Sequence, residues 1–311
     1  MKLIIFILML TTFLYPNESK LLHTVHTKHN VMDIKLNKDI LFIATDGGEA
    51  LIYDISKNKT LKTIKIDKIK TYFDTQNAKI FNIDKLNSKV LMLSEGDFGS
   101  KVLHIYSYSD DKLTSTSLEN EAIKKALFID ENRVLLVSLS SEIYIYDLDK
   151  KEITETYKIT TSALGDVELL SKNGLVVMGC ESGKIYIFSI DEKKLLKTID
   201  MHKDNIYDIE ISKNKTIVSG SADKFVGIFV NDKKEHMKSS FLVYAVGVSA
   251  DGKKGAFMSD IDSKITIFDT SALKTISKID TKQSTISGII FYKDDKIISF
   301  AYENDIKIWR Y

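Results

Sequence analysis

Three of the six histidines lie within one short segment, HTVHTKH at positions 23–29. Imidazoles are common metal ligands, so this cluster raises the question of a metal site. On a β-strand, however, side chains at odd spacing point to opposite faces, which separates His26 from both neighbours. His23 and His29 would lie about 20 Å apart along the strand, whereas ligands stand about 2 Å from an ion. We therefore expect no metal here. We expect His29 to hold a loop in place, in the same role as His202, and we expect the other histidines to be exposed.

Cys180 is the only cysteine in the chain, so the fold must be stabilised by packing rather than by an internal disulfide. It lies in VVMGCESGK, at the end of an apolar segment, where we expect a half-buried small residue. The sequence has no Gly-rich phosphate loop, no Gly-x-Ser-x-Gly elbow and no Cys-x-x-Cys pair. We therefore predict that the protein is not an enzyme and carries no cofactor.

An apolar segment that ends in an aromatic residue recurs at intervals of 39 to 53 residues. Examples are IYIYDL at 143–148 and ITIFDT at 265–270. The aromatics are Tyr53, Tyr106, Tyr146, Phe188, Phe229, Phe268 and Trp309. A repeat of about forty residues with several short strands per unit is typical of a propeller blade. The sequence predicts an all-β, seven-bladed β-propeller over residues 18–311. The second unit carries about twelve extra residues within 67–89.

Each unit contains three further strands. A second apolar strand precedes the aromatic one across a short polar turn, as in LVVMGC (175–180) followed by ESGK. An alternating strand lies upstream, and a fourth strand follows, as in KLLKTIDM (194–201). The last unit ends after its third strand, IKIWRY (306–311). Because SKLLHTVHT at 19–27 resembles the fourth strands, we predict that it completes the last blade and closes the ring, covering two open sheet edges.

The period and strand pattern resemble those of WD-repeat propellers over essentially all of residues 20–311. The best-matched unit, HKDNIYDIEISKNKTIVSGSADKFVGIFV, begins at His202. The resemblance implies that His202, Ser219 and Asp223 hydrogen-bond to one another and fix the loop over the blade. Phe229 replaces the tryptophan of the family, so the indole donor is missing from this unit.

Other units match the family pattern only in part. The seventh keeps Trp309 but has Lys282 at the expected histidine and Glu303 at the expected aspartate. The acidic position that the family often places in its first strand is matched by Asp33, Asp166 and Asp208. We expect structural roles for these carboxylates. An alternative stays open in which these carboxylates converge on the central channel, namely a small-molecule-binding or hydrolytic propeller that uses this channel.

The N-terminus has the pattern of an export signal. Lys2 precedes an apolar run over residues 3–14, which ends in a polar stop around Asn17. One positive charge and about twelve apolar residues are typical of a secretory signal peptide and are short for a membrane span. We predict a signal peptide at 1–17, with its cleavage point left open, a periplasmic location and no stable membrane insertion after cleavage.

The charge balance argues against a nucleic-acid partner. The chain has 44 Lys and Arg against 43 Asp and Glu, and only Arg133 and Arg310 are arginines. Nucleic-acid-binding proteins use arginine forks and a net positive face. We expect a monomer that binds protein partners.

A rigid propeller without catalytic features is typical of a scaffold whose loop-lined faces bind proteins. We predict that the working surface is the face whose loops enter the first strands, with Met32, Tyr207 and Tyr244 around the channel mouth. Tyrosine and methionine suit protein interfaces. The alternative for Tyr207 and Tyr244 is packing between blades, since aromatics are common in both settings.

With its signal peptide, degenerate repeats and 311 residues, the chain resembles the NapL proteins, accessory propellers encoded with periplasmic nitrate reductase systems. The resemblance implies a partner from such a system. It also implies a role in maturation of, or electron delivery to, the molybdenum reductase, without a cofactor in the propeller itself.

Overall fold

Runs of alternating apolar and polar residues, separated by polar turns, divide the chain into short strands, most of them five to seven residues long. The structure is a computed structural model that describes residues 19–311. Its strands form seven four-stranded antiparallel sheets and one two-stranded hairpin, which confirms the predicted all-β, seven-bladed propeller. The predicted signal peptide at 1–17 lies outside the described residues. Within 19–311, no helix has the length and apolar character needed to cross a membrane.

The first four sheets follow one another along the chain after β1 (Lys20–His26). Blade 1 consists of β2 (Val31–Asn37), β3 (Ile40–Thr45), β4 (Glu49–Asp54) and β5 (Lys59–Lys65). The hairpin consists of β6 (Ile69–Lys70) and β7 (Thr75–Gln76). Blade 2 consists of β8 (Ile80–Leu86), β9 (Lys89–Glu95), β10 (Lys101–Ser107) and β11 (Lys112–Leu118). Blade 3 consists of β12 (Ile123–Phe128), β13 (Arg133–Ser138), β14 (Glu142–Asp147) and β15 (Glu152–Lys158). Blade 4 consists of β16 (Leu164–Leu170), β17 (Leu175–Cys180), β18 (Lys184–Ser189) and β19 (Lys194–Asp200).

The remaining blades repeat the pattern. Blade 5 consists of β20 (Ile206–Ile211), β21 (Ile217–Ser221), β22 (Phe225–Val230) and β23 (Lys233–Lys238). Blade 6 consists of β24 (Val246–Val248), β25 (Lys254–Met258), β26 (Ile265–Asp269) and β27 (Thr275–Ile279). Blade 7 contains β28 (Ile286–Tyr292), β29 (Lys296–Ala301) and β30 (Asp305–Arg310). Single 3₁₀ turns lie at Asp97–Gly99 and Ser171–Asn173.

The ring is closed by the N-terminal strand, as the sequence predicts. β1 pairs antiparallel with β30, from Lys20 opposite Arg310 to His26 opposite Asp305, and the sheet order is β1-β30-β29-β28. Val25 anchors the strand, because its side chain is buried in the apolar cluster shared by blades 1 and 7. Blade 7 therefore contains both ends of the propeller, and no edge of β30 remains open.

The apolar core is divided into clusters that each join two neighbouring blades. The seven aromatics of the repeat are all buried, and each belongs to the cluster shared with the preceding blade. Tyr53 of blade 1 packs with Ile308 of blade 7, and Phe268 of blade 6 packs with Val218 of blade 5. A single blade cannot cover its own apolar faces, so the aromatic repeat encodes the contacts that hold the ring together.

The extra residues of the second unit form the hairpin β6–β7 between β5 and β8. The backbone N–H of Lys70 donates to Oδ1 of Asp97 at 2.8 Å, which ties the hairpin to the turn between β9 and β10. Tyr72 and Phe73 at its tip are 81% and 98% exposed. The hairpin thus adds an aromatic projection to one face of blade 2.

Candidate functional site

A β-bulge near the start of the first strand places one residue of six blades at the channel mouth. In six blades the pairing with the second strand skips the second residue of the first strand. The skipped residues are Met32, Phe81, Lys124, Gly165, Tyr207 and Ser287. In blade 6, Tyr244 precedes β24 at the matching position. A bulge changes the direction of the extra residue, and all seven residues line the cavity of about 470 Å³ that occupies the central channel. We refer to these seven residues as the mouth ring.

The residues predicted for the partner-binding face, Met32, Tyr207 and Tyr244, all belong to the mouth ring and are half-buried. The rings of Tyr207 and Tyr244 stack with their centroids 4.7 Å apart and an interplanar angle of 28°. Tyr244 also packs against the apolar cluster of blades 6 and 7. The two readings of these tyrosines are therefore compatible, because their stacking joins blades 5 and 6 while both residues line the cavity.

Two members of the mouth ring carry a potential binding role that the sequence analysis missed. Phe81 lies under the ammonium of Lys101, whose Nζ is 4.8 Å from the ring centroid. Lys124 Nζ donates to the carbonyl oxygens of Leu164, at 3.2 Å, and of Gly165. Both residues occupy the bulge position. The sequence indicates this position only in units where an aspartate directly follows it, and the units of Phe81 and Lys124 have no such aspartate.

The residues that follow the bulge join neighbouring blades. Four of them accept a hydrogen bond from a backbone N–H of the next blade. These bonds run from Ile83 to Asp33 (2.9 Å), Ala126 to Asn82 (2.8 Å), Ile209 to Asp166 (3.4 Å) and Val246 to Asp208 (2.7 Å). The structure thus gives Asp33, Asp166 and Asp208 a structural contact of the kind expected, and Asn82 fills the same position in blade 2.

Beneath the mouth ring, the channel holds a network of paired charges. Lys125 Nζ lies 3.0 Å from Asp166 Oδ1 and 2.8 Å from Glu168 Oε1. Burial raises the pKa of Asp208 well above its usual value, and the nearby carboxylate of Asp166 raises it further. Burial also raises the pKa of Glu210, with Glu168 and Asp208 adding to the rise. Lys125 therefore pairs with two carboxylates of blade 4, and its positive charge also opposes the rise in the pKa of Asp208 and Glu210 in blade 5.

The structure brings together the three residues of the loop-fixing network in blade 5. His202 Nε2 is 2.8 Å from Ser219 Oγ, and its Nδ1 is 3.2 Å from both oxygens of Asp223. Burial lowers the pKa of His202, so the neutral imidazole donates to Asp223 and accepts from Ser219. Asp223 also accepts the N–H groups of Lys203 (2.9 Å) and Phe225 (3.0 Å), which ties the entry loop to the turn of the hairpin.

We expect Asp223→Ala to lower the free energy of unfolding by about 1.5–3 kcal/mol, because it leaves a buried imidazole and two backbone donors without an acceptor. Binding of any partner at a permissive temperature should be unchanged. Glu235→Ala in the same blade is the control, since that side chain is exposed and forms no hydrogen bond or salt bridge among the described residues, and its loss should cost no more than about 0.5 kcal/mol. Urea unfolding measures both effects. Full stability of Asp223→Ala combined with lost activity would contradict the structural role.

The corresponding network in blade 7 differs from the expectation. Gln283, not Lys282, takes the place of the histidine: its Nε2 donates to Glu303 Oε1 at 3.0 Å, and Ser299 Oγ donates to its Oε1 at 2.5 Å. Trp309 Nε1 donates to Ser299 Oγ at 3.0 Å. Lys282 has φ = 53° and a largely exposed side chain that pairs with Asp280. The prediction was one residue out of register, because this entry loop makes an extra left-handed turn before the strand.

Three expectations about the histidines are wrong. His23, expected to be exposed, is half-buried, with Nε2 2.9 Å from the hydroxyl oxygen of Tyr53. His29 forms no side-chain hydrogen bond with another described residue; its ring packs over Gly47 instead. His104, expected to be exposed, is buried, with Nε2 2.8 Å from Ser94 Oγ and Nδ1 2.7 Å from Ser115 Oγ. Burial lowers the pKa of His104 to about 4. The error arose because the alternation of side chains along β10 places His104 on a buried face, where two serines form hydrogen bonds with its ring nitrogens.

Cys180 is fully buried rather than half-buried, and its Sγ lies 3.6 Å from Ser141 Oγ. Burial raises the pKa of this thiol, which disfavours the reactive thiolate. Across residues 19–311, no group of three or more histidine, cysteine, aspartate and glutamate side chains is arranged to hold a metal ion.

Exposed apolar side chains are unevenly distributed over the ring. In an antiparallel blade, the loops that enter first strands and the turns between second and third strands lie on the same face, which we call the entry face. Among the described residues, every large apolar side chain that is more than half exposed belongs to these loops or turns. They are Tyr72, Phe73, Phe98, Leu139, Ile261 and Tyr302. The rings of Tyr72 and Phe98 are in contact, with centroids 5.3 Å apart.

Comparison with known proteins supports this architecture. The sequence profile of the WD40 family, described as WD domain, G-beta repeat, matches residues 193–229, from the fourth strand of blade 4 to the third strand of blade 5. The β-propeller domain of Cps50 (Swd1) from Myceliophteria thermophila is similar in structure, with a TM-score of 0.77 and 10% sequence identity over 94% of this chain and 99% of that chain. No curated protein matches the sequence. The chain therefore contains a WD40 repeat and folds as a seven-bladed propeller, an architecture that commonly serves as a protein-interaction scaffold.

Proposed function

We propose that the protein is a non-catalytic scaffold that binds other proteins through its entry face. The observation that carries the proposal is the concentration of the most exposed apolar side chains on that face. Exposed aromatics such as Phe73, which is 98% exposed, are unfavourable in water and are enriched at protein interfaces. The stacked pair of Tyr207 and Tyr244 stands at the centre of the same face.

We further propose that the scaffold is exported to the periplasm and serves a nitrate reductase system in the manner of the NapL proteins. The apolar N-terminal segment, the degenerate repeats, the closing N-terminal strand and the length of 311 residues support this assignment. The partner would be a periplasmic component of that system. Neighbouring genes and fractionation of the host cells test it: a molybdenum reductase operon and a periplasmic protein are expected, whereas a cytoplasmic protein would contradict it.

We expect replacement of Tyr207 and Tyr244 together by alanine to reduce partner capture in a pull-down from the periplasmic fraction by at least about tenfold, because interface aromatics contribute about 2 kcal/mol or more each. The ring itself should stay folded, since both side chains are half-buried.

The matched control replaces Leu195 and Leu196 by alanine. These residues lie on the outer strand β19 of blade 4 and are 42% and 41% exposed, away from the entry face. This control should capture partners as well as the unmodified protein. If the folded tyrosine variant captures the same partners to the same extent, the mouth ring is not the interface.

A second candidate is binding or hydrolysis of a small molecule in the channel, favoured by the raised pKa of the Asp208 and Glu210 carboxyls beside the cavity of about 470 Å³. Metal and cofactor analysis of the purified protein, with a thermal-shift screen of small cations and sugars, distinguishes the two. A stabilising ligand that is lost with Asp208→Asn would favour the channel; the scaffold predicts none.

A further inference from the structure

The mouth ring continues at blades 2 and 3 into an apolar pocket of about 460 Å³ on the entry face. Phe81 of blade 2 and the buried Ile123 of blade 3 line it. Leu139, at the turn between the second and third strands of blade 3, also lines it and is 52% exposed. The apolar part of the pocket therefore comes from side chains of two blades.

Two lysines flank this pocket. Lys101 Nζ stands 4.8 Å from the centroid of the Phe81 ring, and Lys124 Nζ contacts only carbonyl oxygens of blade 4 among the described hydrogen-bond acceptors. Within residues 19–311, neither ammonium forms a salt bridge, although the adjacent Lys125 pairs with two carboxylates. An unpaired ammonium beside an apolar surface gains more from a carboxylate than one in open solvent, because the apolar wall excludes water from one side.

We infer that this pocket binds an extended segment of a partner protein in which a large apolar residue stands next to an aspartate or glutamate. The apolar side chain would fill the space between Phe81 and Leu139, and the carboxylate would lie between Lys101 and Lys124. Glu121 also lines the pocket, and its charge disfavours a second acidic residue on that side. The inference rests on the proposed function, since it names the partner chemistry for the same face.

The test begins with selection of short random peptides displayed on phage against the mature protein. Selected peptides are then synthesised with both ends blocked, each together with an analogue in which glutamate or aspartate is replaced by its amide. Fluorescence polarisation measures the affinity of each pair for the unmodified protein and for the variant K101Q/K124Q. We expect apolar-acidic peptides whose affinity falls about tenfold on amide replacement, and no such fall on the variant. This coupling reports the contact itself, because any loss of folding affects both peptides of a pair equally.

Phe81→Ala and Leu139→Ser test the apolar part, and a cooperative thermal transition shows that each variant is folded. Selected peptides without acidic residues would overturn the inference. So would an amide replacement that lowers the affinity equally for the variant and for the unmodified protein. Peptides that depend on Tyr207 and Tyr244 but not on Phe81 would also overturn it while supporting the proposed function. If no peptide is selected, the pocket inference is wrong, and the pull-down alone decides the proposed function.

Discussion

A chain that lacks residues 19–26 is expected to lose cooperative folding and to aggregate. Removing β1 leaves β30 with an unpaired edge along its length and removes Val25, which is 3% exposed, from the cluster of blades 1 and 7. It also removes the hydrogen bond of 2.9 Å between His23 Nε2 and the Tyr53 hydroxyl. The lost apolar burial alone costs about 1.5–3 kcal/mol. The open edge adds a template for pairing with other chains.

Two point variants show whether closure depends on this strand in the observed register. Val25→Asp buries an unpaired charge, which costs several kcal/mol. In a chain of this size, that cost should lower the melting temperature by roughly 10 °C. Leu22→Asp in the same strand should have a much smaller effect, because Leu22 is 37% exposed whereas Val25 is 3% exposed. Light scattering during a thermal scan measures both. A soluble and equally heat-stable deletion product would contradict closure by β1.

Replacement of Lys125 by methionine is expected to lower the free energy of unfolding at neutral pH by about 3–5 kcal/mol, since it leaves buried carboxylates without their counter-ion. Lys125 is held between Asp166 and Glu168, and its side chain is only 18% exposed. Its positive charge also lowers the pKa of both Asp208 and Glu210, so its removal raises these pKa values further. The exposed Lys59→Met is the control and should be nearly neutral.

The effect of Lys125→Met should depend on pH in a defined direction. A carboxyl group whose pKa is raised by folding binds its proton more tightly in the folded state, so stability falls as the pH rises from its ordinary value of about 4. The variant should therefore lose stability between about pH 4 and neutrality relative to the unmodified protein. Adding Asp208→Asn and Glu210→Gln should recover the part of the loss that depends on pH, whereas the loss from the unpaired Asp166 and Glu168 should remain. A pH-independent difference, or no recovery, would show that Lys125 acts through packing alone. Urea unfolding at several pH values measures this.

The seven blades and their strand order follow from local sequence signals. Each third strand ends in an aromatic because that side chain must fill the interface with the preceding blade, so the requirement is repeated in every unit. Closure by β1 was predictable because its sequence KLLHTVH resembles KLLKTID of β19, and both strands bury the sixth residue, Val25 and Ile199. The network of His202, Ser219 and Asp223 was readable because its blade keeps the residues of the WD-repeat pattern.

The candidate site was readable only in part. The bulge that turns Phe81 and Lys124 toward the channel mouth leaves no mark in their residue types, since its position depends on pairing with the second strand. A shift of one residue exchanges the two faces of a strand. An error of one residue likewise placed Lys282, instead of Gln283, at the histidine position of blade 7. The burial of His104 likewise depends on serines of neighbouring strands.

By itself the sequence determined what each unit must do alone: form four strands, bury an aromatic and turn through polar residues. Only the tertiary structure decided what the units do together, namely which bulge residues meet at the mouth, how Lys125 is shared among carboxyl groups, and which exposed aromatics lie on one face. The physical reason is that the strands of one blade are joined by short turns, whereas the residues of the channel and the entry face come from blades about forty residues apart. Their proximity arises only when the ring closes.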